Sequence, residues 1–289
     1  MKAMNRLVSY ISECIDEPIV TFKPVSGGSI SSAYRLETGV KAYFLKVNRK
    51  PTALPMFQAE KEGLRAIEES GTIAVPHVHL VGSLGSQAFL LMDHVESKRP
   101  DESDYRRLGM QLARLHQTAS ERFGFTGDNF IGSLPQSNRN HTDWSEFYWR
   151  ERILPQLEMA RRKGLLSEKA IPTEAKAVNI FTQVFGEVKP VLLHGDLWGG
   201  NYLIANDGTP YLIDPATYYG HSMVDIAMSH LFGGFSPSFY DAYHEIIPKP
   251  DNYVQQIELY QLYYLLVHLN LFGSGYYASV ASILKRLFS

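Results

Sequence analysis

Cysteine, excess charge of one sign and long apolar runs are all scarce in this 289-residue chain. The single cysteine, Cys14, excludes an intramolecular disulfide and favours a reducing compartment such as the cytoplasm. The formal net charge of −2 gives no electrostatic footprint for nucleic acid or an anionic membrane. No apolar run approaches transmembrane length, and the first residues lead into no apolar segment typical of a signal peptide. We therefore expect a cytoplasmic protein with neither a nucleic-acid nor a membrane partner.

The length of the chain and its 45% hydrophobic content allow a large core. A core of this size commonly divides between two units. Predicted strands dominate the first third of the chain, and predicted helices dominate the remainder. We expect an N-lobe over residues 1–95 and a C-lobe over residues 96–289, in a monomer.

The most informative stretch covers residues 194–201 and reads His-Gly-Asp-Leu-Trp-Gly-Gly-Asn. Predicted strands flank it, and Asp214 ends the next apolar run. Phosphoryl transfer to a hydroxyl needs a carboxylate that accepts the proton, and Asp196 is the candidate for this general base. Asn201 and Asp214 have the types and spacing expected of Mg²⁺ ligands, which compensate phosphate charge. The combined pattern is typical of protein-kinase-like enzymes that use ATP and Mg²⁺.

Backbone groups of two N-terminal segments are expected to bind the nucleotide. The predicted turn between the first two strands contains Gly27, Gly28 and Ser29. Glycines at such a turn let N–H groups approach phosphates, although an ordinary hairpin explains the same residues. The segment after the fifth strand should be the hinge between lobes, where main-chain groups pair with adenine. Its residues are Asp93, His94 and Val95.

One lysine lies within the third predicted strand. Lys46 stands between apolar residues, and this placement predicts a contact with the α- and β-phosphates. A helix predicted over residues 56–69 carries Glu60 near its start, which is the expected partner of Lys46. The rival Glu62 is turned to another face by helical rotation.

Four segments of the sequence closely resemble the fructosamine kinase (ketosamine 3-kinase) family: residues 144–158, 194–201, 214–216 and 219–221. The likeness covers nearly the whole chain. It implies an α+β, bilobal protein-kinase-like fold, with an antiparallel sheet plus helix in the N-lobe and a mostly helical C-lobe. It also implies ATP-dependent phosphorylation of the sugar 3-hydroxyl of a ketosamine, either a small molecule or a glycated lysine, in protein deglycation.

Two departures from protein kinases favour a small-molecule acceptor. Gly195 stands where those enzymes carry an arginine that reads a phosphorylated activation loop. The interval from Asp214 to Asp225 has no room for such a loop, so we expect constitutive activity. In some members of the family that the chain resembles, a cysteine in the Gly-rich loop can link two chains. Here Ser29 or its neighbours occupy that place, so we expect no redox-switched dimer.

The acceptor side is expected to be aromatic, with Trp198, Tyr218, Tyr219 and His221 as candidate substrate contacts. An indole can stack on the C–H face of a sugar and attract a protonated amine. Packing beneath the loop is the alternative for Trp198. For Asp225 we expect a loop-anchoring cap rather than a catalytic role.

Two other functions remain open on the sequence alone. An aminoglycoside or choline-type phosphotransferase shares the His-Gly-Asp residues that begin the motif. An antibiotic kinase, however, should carry more acidic residues in its acceptor pocket. A nucleotide-binding pseudokinase scaffold is the alternative from another class. The complete set of expected catalytic groups disfavours it: Lys46, Glu60, Asp196, Asn201 and Asp214.

Overall fold

The computed structural model describes residues 2–25 and 31–288. The predicted phosphate-binding turn of Gly27, Gly28 and Ser29 therefore lies outside the described residues. Strands dominate the N-terminal part, where β-branched and aromatic residues are frequent. Its elements are α1 (Lys2–Ile15), β1 (Ile19–Val25), β2 (Ser32–Thr38), β3 (Ala42–Asn48), α2 (Ala53–Glu69), β4 (Val78–Leu84) and β5 (Gln87–Asp93).

The five strands form one antiparallel sheet in the order β1-β2-β3-β5-β4. Helix α1 packs on one face through Leu7 and Ile11, which lie one turn apart and share a cluster with Leu45. Helix α2 packs on the other face through Phe57. Because side chains alternate along a strand, Lys46 lies on the α2 face.

Helices form most of the remainder of the described chain, with three short antiparallel strand pairs between them. The elements are α3 (Glu102–Leu115), β6 (Asn129–Ile131), β7 (Leu134–Gln136), α4 (Trp144–Phe147), α5 (Leu154–Arg162), α6 (Glu174–Phe185), β8 (Val191–Leu193), β9 (Tyr202–Ile204), β10 (Pro210–Leu212), β11 (Tyr218–Gly220), α7 (Met223–Leu231), α8 (Pro237–His244), α9 (Tyr253–Phe272) and α10 (Tyr277–Phe288). Helix α9 is largely buried against α5, α7 and α10 and forms the centre of this part.

A π-helix over Tyr148–Ile153 connects α4 to α5. Pro155 predicts a kink or a break here, because proline has no N–H for the carbonyl four residues earlier. The helical path continues without a break, and the guanidinium of Arg152 donates to the Glu151 carbonyl at 3.0 Å. The wider π turn thus replaces the expected break.

Two strand pairs hold the segments that carry the predicted catalytic groups. β8 pairs with β11, and β9 pairs with β10. The stretch 194–201 connects β8 to β9, and Asp214 follows β10. The lobe boundary predicted at residue 95 falls between the end of β5 and the start of α3. The architecture is the predicted α+β bilobal fold, and no helix in the described part of the chain could cross a membrane.

Candidate active site

The loop over residues 194–201, here called the catalytic loop, is fixed by a buried carboxylate. Asp225 in the first turn of α7 accepts the N–H groups of His194 and Gly195, each at 2.8 Å. From the opposite side, the Tyr264 hydroxyl on α9 donates to the Gly195 carbonyl at 2.8 Å. The backbone just before Asp196 is therefore held by two helices, and Asp225 has the anchoring role expected from the sequence.

A buried histidine supports this anchor. The ring of His116, just after α3, lies between Asp225 (3.0 Å) and the Tyr243 hydroxyl (2.8 Å). Burial opposes ionisation of Asp225, but hydrogen bonds from His116 and the loop N–H groups hold the pKa of Asp225 below its ordinary value. We missed this role because a lone histidine at a helix end gives no local signal for a partner 109 residues away.

Glycine at position 195 is required by space as well as by conformation. Gly195 has φ +84°, in the left-handed region. A Cβ at Gly195 would overlap the carbonyl oxygen of Ala216. The close approach joins the catalytic loop to the segment after Asp214, where the Ala216 N–H also donates to the His194 carbonyl at 2.9 Å.

Asp196 is held by Asn201, its neighbour in the catalytic loop. The Asn201 amide nitrogen donates to the Asp196 carbonyl at 2.8 Å and to its carboxylate at 3.3 Å. Desolvation raises the pKa of Asp196 to about 7, with a further contribution from the charges of Asp214 and Asp225, while the Asn201 hydrogen bond opposes the shift. Asp196 is therefore a carboxylate poised to gain or lose a proton near neutral pH.

Lys46 lies where β3, α2 and the segment after β10 meet. Its ammonium donates to Glu60 at 2.6 Å and also contacts the carboxylate of Asp214. Burial opposes the charge of Lys46, but the two carboxylates hold its pKa above the ordinary value. The predicted pairing of Lys46 with Glu60 is thus observed, whereas Glu62 instead pairs with Arg65 at 2.8 Å on the outer face of α2.

Asp214 and Asn201 form a donor set that suits Mg²⁺. Asp214 is a non-glycine residue at φ +54°, a strained conformation that is concentrated at functional sites. Asn201 uses its amide nitrogen toward Asp196, which leaves its amide oxygen for a metal ion. Mg²⁺ commonly takes only one or two protein oxygens and completes its shell with phosphates and water. The residues present therefore fit this ion.

Trp198 lies on the surface of the catalytic loop and not beneath it. Its side chain is 41% exposed, so the alternative of a core tryptophan is wrong. The indole lies across the Cα of Gly200, where a Cβ would overlap the ring. Gly200 supports the indole because it has no side chain. Gly199 packs directly on Gly234, which lies between α7 and α8.

The structure contradicts the substrate roles predicted for Tyr218 and His221, whereas Tyr219 is partly exposed and its substrate role stays a prediction. β11 runs antiparallel to β8, so each of its residues lies farther from the catalytic loop than the one before. Tyr218 is fully buried, with the Arg152 guanidinium 3.9 Å from its ring centre. His221 lies among core aromatic rings, and its Nδ1 is 2.6 Å from the Tyr260 hydroxyl. The substrate roles of Tyr218 and His221 were predicted because these residues follow Asp214 closely in the sequence, but closeness in sequence did not place them at the acceptor site.

The predicted hinge begins at Asp93, the last residue of β5. The Asp93 carboxylate bonds His79 at 2.7 Å and Lys41 at 3.4 Å, so that side chain faces the sheet edge. The His94 N–H donates to the Ala42 carbonyl at 3.3 Å. Within the described residues no backbone acceptor takes the Val95 N–H, as an adenine-binding position requires. Pairing of this segment with adenine stays a prediction.

A second polar network, absent from the sequence prediction, holds the segment after Asp214. The Tyr263 hydroxyl donates to the Gln136 side chain at 2.5 Å, and Gln136 donates to Asn129 at 2.8 Å. Asn129 in turn donates to the Thr217 carbonyl at 2.8 Å. These residues come from a hairpin and a helix far apart in sequence, so no local pattern could identify them.

Comparison with known proteins agrees with this geometry. The fructosamine kinase family model matches residues 3–289. A Synechocystis protein assigned as a ketoamine kinase is 40% identical over 285 residues, covering 97% of this chain and 95% of its own length. Mouse ketosamine-3-kinase is 38% identical, covering 90% of this chain and 93% of its own length. The solved structure of a Thermobifida fusca protein assigned as a fructosamine-3-kinase has a TM-score of 0.85 at 31% identity, over 97% of this chain and 98% of that one. This chain belongs to the fructosamine kinase family.

Proposed function

We propose that this chain transfers the γ-phosphoryl group of ATP to the 3-hydroxyl of a ketosamine, as a step in protein deglycation. The observation that carries the proposal is the convergence of Asp196, Asn201 and Asp214 with the Lys46–Glu60 pair. Family membership supports ATP as the donor, and the name of the mouse relative, ketosamine-3-kinase, supports the acceptor.

Each group has a distinct task in the proposed reaction. Asp196 orients the attacking hydroxyl and accepts its proton, and a pKa of about 7 suits a base that works near neutral pH. Lys46 binds phosphate oxygens, with Glu60 holding its ammonium in place. Asp214 and Asn201 would hold Mg²⁺, which supplies positive charge to the phosphoryl oxygens when it is bound.

Trp198 is the acceptor contact that we propose beside these groups. It lies two residues after Asp196, and its indole is accessible on the loop surface. A ketosamine carries a polyol face and a protonated amine, both of which an aromatic ring can bind. A monomeric state and a cytoplasmic location stay predictions.

The test supplies wild-type protein and Mg-ATP with fructosyl-lysine, ribulosyl-lysine, kanamycin or choline, and measures ADP release. We expect ADP release only with the two ketosamines, fructosyl-lysine and ribulosyl-lysine. Phosphorus NMR should then locate the phosphate of the product on C3. Release with kanamycin or choline would instead support an antibiotic or choline kinase. No release with any acceptor would support the scaffold alternative.

The matched variant is Asp196→Asn, which keeps the shape of the side chain and removes the proton acceptor. We expect kcat to fall about 10²-fold or more, the usual contribution of a general base. Mg-ATP affinity, measured by calorimetry, should stay near the wild-type value. Near-normal turnover by the variant would remove Asp196 from the mechanism.

A further inference from the structure

Four aromatic side chains form an exposed cluster beside the catalytic loop, here called the aromatic rim. Its members are Phe232, His268, Phe272 and Tyr276. The rings of Phe232, Phe272 and Tyr276 lie 4.6, 5.4 and 5.1 Å from the ring of His268, between centroids. Phe232 is 42% exposed and Phe272 is 63% exposed, so the cluster presents apolar surface to solvent. Contiguous exposed surface of this kind commonly marks a binding site.

Two direct connections join the aromatic rim to the catalytic loop. Gly199 of the loop packs against Gly233 and Gly234, the residues that follow Phe232. Tyr264, which holds the Gly195 carbonyl, lies one turn before His268 on α9, and the His268 ring bonds the Tyr264 carbonyl at 2.8 Å. The rim therefore begins within one helical turn of a residue that positions the base.

The charge around the rim restricts what it can bind. No Asp or Glu occurs in residues 226–240 or 259–289, the segments that carry all four aromatic side chains. Burial lowers the pKa of His268, which favours a neutral ring at neutral pH. These two segments offer no carboxylate side chain to a ligand with several ammonium groups, whereas an apolar stem or ring beside a single ammonium can contact the aromatic faces.

We propose that the aromatic rim binds the amine-derived part of the ketosamine, and that it selects amines with an apolar stem or ring and a single positive charge. The inference rests on the proposed function. In a ketosamine the nitrogen is attached at C1, so its substituent must extend away from the reacting 3-hydroxyl. With the sugar at Asp196 and Trp198, the adjoining rim offers an exposed apolar surface to that substituent.

The experiment compares two ketosamines that share one sugar and one charge and differ only on nitrogen. One is made from benzylamine and the other from methylamine, with whichever of fructose or ribulose the wild type phosphorylates faster. We expect wild-type kcat/KM to be about tenfold higher for the benzylamine compound, since burial of a ring of this size is worth at least that factor. Phe272→Ala and Phe232→Ala should each lower kcat/KM for the benzylamine compound much more than for the methylamine compound, and so remove most of that preference.

The matched control is Val254→Ala at the opposite end of α9, where the side chain is 78% exposed. It should leave both substrates unaffected. Phe272→Leu keeps apolar bulk and removes the ring, which provides a variant of minimal disturbance to folding. Equal losses for both substrates in the rim variants, or no loss for either, would overturn the inference.

Sedimentation of the same proteins tests the rival occupant, a second copy of this chain. Rim variants that convert a dimer to a monomer with unchanged substrate preference would assign the surface to self-association and overturn the inference. Wild-type protein that phosphorylates neither compound would overturn the proposed function itself. Failure of the proposed function is in this way distinguished from failure of the rim alone.

Discussion

The Gly195 carbonyl is held by one hydroxyl, that of Tyr264, and this bond allows a clean test of loop positioning. Tyr264→Phe removes only that hydroxyl. A neutral hydrogen bond contributes about 1 kcal/mol, so we expect kcat to fall about 3- to 10-fold as Asp196 becomes less well oriented. KM for ATP should not change, because Tyr264 makes no hydrogen bond to Lys46, Glu60 or Asp214 in the described part of the chain.

Tyr260→Phe is the control for this change. Tyr260 is also buried on α9, but its hydroxyl bonds Trp144 and His221 instead of the catalytic loop. Its loss should lower the melting temperature and leave kcat near the wild-type value. Equal kcat in the two variants would contradict a positioning role for Tyr264.

His221 makes a prediction about stability and pH. Burial lowers the pKa of His221 to about 3, and the Trp144 N–H bond to the Tyr260 hydroxyl leaves that hydroxyl free to donate to a neutral His221 ring. An unfolded histidine titrates near pH ~6.5. The stabilising contribution is therefore complete above that pH and is lost as the pH falls toward 3.

His221→Gln should consequently reduce the slope of melting temperature against pH between pH 7 and 4. Glutamine keeps a hydrogen-bond acceptor for Tyr260 and cannot protonate in this range. His77→Gln, at an exposed histidine, is the comparison. An unchanged slope in the His221 variant would show that His221 does not titrate as its burial predicts.

At the scale of residues, the sequence predicted groups whose geometry is local. Asp196 and Asn201 belong to one loop, and Lys46 and Glu60 follow from strand alternation and helix rotation. Tyr218 was assigned wrongly because its burial depends on the pairing of β11 with β8 and on Arg152, contacts that no local pattern encodes.

Helix α2 is the element that connects the nucleotide-binding groups to the metal-binding segment. Gly63 faces that segment, and a Cβ there would lie 2.9 Å from Thr217 Oγ1 and 3.3 Å from the Pro215 ring. Alanine normally stabilises a helix relative to glycine by about 1 kcal/mol. The added methyl group of Gly63→Ala requires Thr217, the Pro215 ring or α2 to move. We expect this movement to shift Glu60 relative to Lys46.

We therefore expect Gly63→Ala to raise KM for ATP about tenfold or more, because a hydrogen bond to a charged group contributes about 1.5 kcal/mol or more. We expect no gain in melting temperature. Lys61→Ala on the exposed face of the same helix should leave KM unchanged. A variant that is more stable and fully active would mean that the contact at Gly63 has no role.

At the scale of elements, the sequence pattern predicted the five N-terminal strands and most helices, because the apolar residues that each element buries are close together in the sequence. The π-helix at Tyr148–Ile153 could not be predicted in this way. It depends on how Arg152 packs against Ser137 and Asn138, which come from another part of the chain. Helix α2 also begins at Ala53, earlier than the predicted residue 56.

In the whole molecule, Lys46 from the N-terminal sheet meets Asp214 from the C-terminal part. Mg-ATP bound at this junction should raise the melting temperature by mass action, since it binds only the folded protein. Asp214→Ala should lose most of that shift because a carboxylate ligand is missing. Asn201→Ala should lose less, because a neutral amide contributes less charge.

The melting temperature of each variant is measured with and without Mg-ATP, and the two values are subtracted. The difference excludes the effect that losing the Lys46 contact has on the ligand-free Asp214→Ala protein. Glu62→Ala, which changes an acid outside the site, is the control and should retain the full shift. A full shift in Asp214→Ala would contradict its role as a metal ligand.

Because Trp198 packs on Gly200 and remains exposed, its fluorescence can be distinguished from that of the other tryptophans. The chain contains three tryptophans, and Trp144 and Trp149 are only 3% and 1% exposed, against 41% for Trp198. A dissolved quencher such as iodide therefore reaches one indole, two residues from Asp196. Trp198 is therefore an intrinsic fluorescent reporter at the proposed acceptor position. The rate of sugar binding can be measured by stopped-flow fluorescence of the unlabelled protein, separately from phosphoryl transfer.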